Sequence, residues 1–226
     1  MSRRSSFARE PGALRRSKLG IPWPGKTFLI VTEGKKTEPS YFVAIRDRLN
    51  LGKAVDIRHP EGTDPLTLTK AAIQMRSDRE EQAKGGLAIA YDEVWVVFDM
   101  EKPHDQRRKL AAEAMKIGES AGIQFAWSDP CFEFWLLLHE RFTTAHFAEC
   151  DRVIERLKPH WKNYSKGQSP TLEFLEKIPT AVTNAERCRK HHESSLGDWN
   201  PSTRVDVLVR QLNSARRSHL QFPLPQ

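Results

Sequence analysis

Glu33 stands in Val31-Thr32-Glu33-Gly34-Lys35-Lys36, directly after a short apolar run, and Asp99 with Glu101 stands directly after a second, Glu93 to Phe98. Acids that close buried strands can be brought together from distant points of a chain. Where they meet they repel and hold their protons more tightly unless a cation joins them, and a hard divalent ion takes oxygen ligands of this kind. Mg²⁺ or Mn²⁺ held by Glu33, Asp99 and Glu101 would orient and neutralise a phosphodiester for attack by water. The same residue types also serve turns and helix caps, and Asp99-Met100-Glu101-Lys102-Pro103 reads equally as a turn with Lys102 beside its acids.

Glu133 is a separate candidate. In Cys131-Phe132-Glu133-Phe134-Trp135-Leu136-Leu137-Leu138 it is the one acid of an otherwise apolar helix, where a charge is costly unless paired or bound to a metal. As a fourth catalytic carboxylate it would serve as ligand or general base, and its place near the helix start offers a purely structural alternative. Lys36, just past the glycine turn, could steady a phosphate or lie in solvent. The eight histidines include no His-x-x-x-His pair, which argues against zinc, and neither a nucleophile elbow nor a Walker-type loop is present.

These residues need a frame. Phe28-Leu29-Ile30-Val31 predicts a strand over 27–32 buried on both faces, and weaker or stronger strand signals follow at 55–58, 93–98 and 123–127. Between them lie a helix opened by Thr37 with Tyr41, Phe42, Ile45 and Leu49 in phase, one capped by Asp64-Pro65 that runs toward Gln82, and one over 105–118. The β-α-β-α-β-α-β order predicts an α/β fold, a parallel sheet flanked by helices, with ligands at the carboxyl ends of the strands. Beyond Asp129-Pro130 the pattern predicts helices only, at 131–139, 149–158, 170–178, 180–193 and 202–213. Pro159, Pro170, Pro179 and Pro201 mark the breaks.

The chain has 226 residues and a formal charge of +7, from 36 Lys and Arg against 29 Asp and Glu. The excess sits at the ends. Residues 1–26 carry seven basic side chains and one acid, and residues 187–226 seven and three, leaving 22 against 25 between them. This divides the chain into a basic, flexible arm over 1–26, an α/β core over 27–140 and a helical extension over 141–226 packed on the core. Arg3, Arg4, Arg15 and Arg16 of the arm would track a nucleic-acid backbone. Apolar runs such as Phe134 to Leu138 fall far short of the ~20 residues that cross a bilayer, so no membrane association is expected. Prolines stand where a signal peptide would be apolar, and three widely spaced cysteines indicate neither a disulfide framework nor a zinc knuckle, which points to the cytoplasm. Exposed helix faces in the last third could serve a homo-oligomer or an internal pack.

Three stretches together resemble the RloB family, found among bacterial restriction and phage-defence loci. They are Leu29-Ile30-Val31-Thr32-Glu33-Gly34-Lys35-Lys36-Thr37-Glu38-Pro39-Ser40-Tyr41-Phe42, Val94-Trp95-Val96-Val97-Phe98-Asp99, and Ser128-Asp129-Pro130 continuing to His139. Asn200-Pro201-Ser202-Thr203 resembles the family's closing helix signature. The resemblance implies a Toprim-like fold, in which a strand-end glutamate and an Asp-x-Asp pair bind Mg²⁺, with Glu33 and Asp99 in matching places. Glu101 departs from that pattern, being one methylene longer than aspartate. The function so implied is a Mg²⁺-dependent nuclease acting on DNA or RNA in antiviral defence. The alternative is a non-catalytic nucleic-acid-binding, partner-binding or nucleotide-sensing module that works with a separate ATPase.

Overall fold

A computed structural model describes residues 25–62, 64–100, 104–193, 199–216 and 218–225. The strands are β1 (Phe28–Thr32), β2 (Val55–Arg58), β3 (Glu93–Asp99), β4 (Ile123–Asp129) and β5 (Ser202–Thr203). They form one sheet in the order β2-β1-β3-β4-β5, parallel except for β5, which runs against β4. Eight helices flank the sheet among the described residues. They are α1 (Thr37–Arg48), α2 (Pro65–Lys84), α3 (His104–Ser120), α4 (Phe132–Leu138), α5 (Cys150–Leu157), α6 (Leu172–Leu175), α7 (Ile178–Glu193) and α8 (Val205–Ser214).

Between their end residues β1 and β3 are apolar and buried, as suits strands covered on both faces. Phe28 and Ile30 of β1 join Trp95 and Val97 of β3 on one face, packing against Tyr41, Phe42 and Ile45 of α1 and the apolar sides of α4, α7 and α8. Leu29 and Val31 alternate to the other face, where Val94, Val96 and Phe98 meet Leu68 and Ala72 of α2 and Ala111 of α3. Burying a Leu or Phe so completely stabilises the fold by ~2 kcal/mol per side chain. Parallel pairing of β1 with β3 and of β3 with β4 brings Glu33, Asp99 and Asp129 to one rim of the sheet.

The expected order of elements is present from 28 to 138, and two local readings are corrected. Ser202 and Thr203, expected to open the last helix, instead pair with Asp129 and Ser128 as β5, and α8 starts at Val205. Side chains explain the change: Asn200 donates from Nδ2 to Asp129 Oδ1 at 2.7 Å, and Ser128 and Thr203 hydroxyls lie 2.9 Å apart. Pro179, read as a break, falls in the first turn of α7, where its missing N–H interrupts nothing. The cysteine reading also changes. Cys131, at the N-cap of α4, and Cys150, at the start of α5, form a disulfide, because α4 and α5 pack together, while Cys188 is free and buried. No helix of the described residues is long and apolar enough to cross a membrane.

The Asp64 cap is present, its Oδ1 accepting from Thr67 N at 2.9 Å. Asp64→Ala is expected to cost ~1 kcal/mol, a fall in Tm of ~2–4 °C by thermal denaturation.

Candidate acidic centre

Four carboxylates line one cavity of about 360 Å³ at the carboxyl rim: Glu33, Glu38, Asp99 and Glu133. Glu33 follows β1, and its backbone N–H donates to Val97 O, so the β1–β3 ladder itself fixes the residue. Its Oε2 accepts from the backbone N–H of Asp99 at 3.1 Å and from the Arg107 guanidinium, which also donates from Nε to Asp99 O at 2.7 Å. Arg107, on the first turns of α3, thus ties the ends of β1 and β3 together.

Glu38 enters from α1. It is 5 % exposed, and its Oε1 accepts from Gly34 N at 2.9 Å. A Cβ at residue 34 would collide with this carboxylate, so a larger residue there would displace the Glu38 side chain. Burial, reinforced by the nearby Glu133 and Glu33 charges and opposed by backbone N–H donors, raises the Glu38 pKa from 4.5 to about 7. Glu133 is 3 % exposed and accepts from Tyr164 O–H at 2.9 Å through Oε1, while Cys150 Sγ lies 3.3 Å from Oε2. Burial and then this carboxylate push the Tyr164 hydroxyl well above its ordinary pKa, so it stays a donor. The sulfurs of Cys131 and Cys150 cluster with Glu133 but are joined to each other, which removes them as thiolate ligands.

Helix α4 is anchored from behind. Tyr41 O–H donates to His139 Nε2 at 3.1 Å and His139 Nδ1–H donates to Trp135 O at 3.0 Å, protons assigned from this network. Burial lowers the His139 pKa to about 3, which keeps the ring neutral as that network requires. At the cavity mouth stand exposed Lys36 and Lys166 and half-buried His59, whose Nδ1 lies 3.1 Å from Thr32 O. The loop carrying Lys166 docks on α1 through Gly167, which donates to Thr37 Oγ1 and accepts from Ser40 Oγ.

Of the residues singled out in the sequence, Glu33, Lys36, Asp99 and Glu133 line this cavity, and among the described residues no three of its four carboxylates lie within 4.8 Å of one another. Glu101, Arg3, Arg4, Arg15 and Arg16 lie outside the described residues. Glu38 and Arg107 were missed as site residues, although a signal existed. Glu38 precedes Tyr41 and Phe42 by three and four positions, and Arg107 precedes Leu110 by three, so each charge lies in phase with an apolar helix face. His59 and Lys166 carried no such mark.

An α/β protein with a mostly parallel sheet and an acidic centre at its carboxyl rim is the class that fold and site define. More narrowly, the chain belongs to the RloB-like protein family, whose model matches residues 28–212. Comparisons with curated proteins and with solved structures find no match.

Proposed function

We propose that this protein is a Toprim-type nuclease that uses Mg²⁺, or Mn²⁺, to cleave nucleic acid in bacterial antiviral defence. The observation that carries the reading is the convergence of Glu33, Glu38, Asp99 and Glu133 on one cavity. The donor chemistry suits a hard divalent ion: every candidate ligand is a carboxylate oxygen, and Glu38, its pKa raised chiefly by burial and further by the Glu133 and Glu33 charges, is an acid whose charged form a bound cation would stabilise. Glu33 and Asp99 would hold the ion, with Glu101 as the third acid of the set. Bound there, it would polarise a phosphodiester and lower the pKa of water.

The chain's own groups supply the rest. Lys36 and Lys166 at the mouth attract the phosphate backbone toward an otherwise acidic cavity, a role the arginines of the N-terminal arm extend with salt-dependent affinity. Arg107 holds the β1 and β3 termini at fixed separation, and Tyr164 fixes the Glu133 carboxylate. One observation favours the second reading, a non-catalytic module partnered by an ATPase: the Arg107 guanidinium already neutralises Glu33 from within the chain. A single assay separates them. The full-length protein, offered single- and double-stranded DNA and RNA, is expected to cleave at least one of them with Mg²⁺ and none in EDTA. Binding without cleavage in either condition would replace the nuclease by the module.

A further inference from the structure

A second cavity, of about 490 Å³, opens on the same rim beside the acidic one. We propose that it is the subsite for an unpaired nucleobase and its phosphate in a single-stranded nucleic acid. This assignment rests on the reading of the chain as a nucleic-acid enzyme and names the strandedness of its substrate.

Two tryptophans and three arginines carry the argument. Trp127, near the end of β4, is half-buried, and Trp199 is 39 % exposed, one of few large apolar side chains so placed among the described residues. An indole left in contact with water at a cavity wall offers a flat face on which a base can stack, and every base has such a face. Arg204 is exposed, and among the described residues its guanidinium has no ion partner. Arg108 is 43 % exposed, with Nη2 3.7 Å from Asp129 Oδ2. Arg189, also in the cavity wall, is held in place by two 2.6 Å bonds to Asp206 and one to Thr203 O. Guanidinium planes bind phosphate and also stack on bases.

The two cavities are joined through consecutive residues. Asp99 lines the acidic cavity and Met100 the second, and Met100 N donates to Ser128 O at 2.8 Å, which locks the ends of β3 and β4. Arg107 serves the acidic centre, and Arg108, next on α3, lines the second. A strand passing along this rim therefore meets carboxylates and then a pocket of two tryptophans and three arginines, two of which lie against Asp129 and Asp206. In a duplex the base faces are already stacked, so the pocket selects unpaired residues.

The test is binding of a fluorescein-labelled oligonucleotide to the full-length protein in EDTA, read by anisotropy, with the strand single or annealed to its complement. The wild type is expected to prefer the single strand. Trp199→Ala should weaken that binding roughly tenfold and leave duplex binding unchanged. Arg204→Ala should weaken it too and reduce the slope of log affinity against log salt by about one. Both side chains are exposed, so their removal leaves Tm unchanged, which calorimetry checks on the same samples. Equal single-strand affinity in Trp199→Ala and wild type, or no strand preference in the wild type, overturns the assignment. A nucleoside monophosphate that competes as well as the oligonucleotide overturns the polymer as ligand. Failure of the nuclease reading looks different: single-strand binding stays sensitive to Trp199 while Mg²⁺ elicits no cleavage.

Discussion

Glu38→Gln is expected to make the metal-free protein markedly more stable at about pH 8 and to change little at about pH 4. Glu38 is buried, and its pKa is raised from 4.5 to about 7, first by burial and further by the charges of Glu133 and Glu33. Between those values the folded chain keeps a proton that the unfolded chain has released. Stability therefore falls as pH rises through this window, is undiminished below 4.5 where both states are protonated, and reaches its full loss above 7. The separation of the two values corresponds to about 3 kcal/mol. Glutamine keeps an oxygen to accept from Gly34 N and never acquires the charge. In EDTA at about pH 8 the variant should melt roughly 5–10 °C above wild type, and the gap should close as pH is lowered. Mg²⁺ added to wild type should narrow the gap from the other side, because an ion bound by the cluster offsets the cost of the buried Glu38 charge. A variant no more stable than wild type at about pH 8 would mean that the Glu38 charge is already compensated within the chain.

The strand-end acids were legible in the sequence because a parallel α/β order places every strand terminus on one rim, whatever the loops do. Glu33 and Asp99 needed only the strands Phe28–Thr32 and Glu93–Asp99 to be recognised. Glu133 was legible for a different reason, as an acid inside an apolar helix. Arg107 and Glu38 carry the same signature of charge in phase with an apolar face, but each sits at a helix start, where solvation is the simpler expectation. The Cys131–Cys150 disulfide and β5 depend on contacts between segments 19 and about 75 residues apart, which local pattern does not encode. Asn200 illustrates the difficulty. Its side chain spans Asp129 and the backbone of Phe147, a tertiary role that an Asn-Pro pair ahead of a helix does not announce.

Asp99→Asn is expected to remove Mg²⁺-dependent cleavage by ~10³-fold or more, about 4 kcal/mol of transition-state stabilisation, without unfolding the protein. Two bonds that tie Asp99 into the sheet end are made by its backbone. Its backbone N–H donates to Glu33 Oε2, its backbone oxygen accepts from Arg107 Nε, and both bonds are untouched by amidation of the side chain. Hydrophobic neighbours bury β3 up to Phe98, so the strand end stays in register. What changes is the charge on a side chain that lines the acidic cavity, and a neutral amide is a far weaker partner for a divalent ion. Glu33 is a poorer probe, since its neutralisation would also break its ion pair with Arg107 and confuse metal binding with structure. Isothermal calorimetry with Mg²⁺, melting curves in EDTA and the cleavage assay together discriminate. Loss of ion binding and cleavage with an unchanged EDTA melt places the chemistry at this rim. Full cleavage by Asp99→Asn would remove the acidic centre from the reaction.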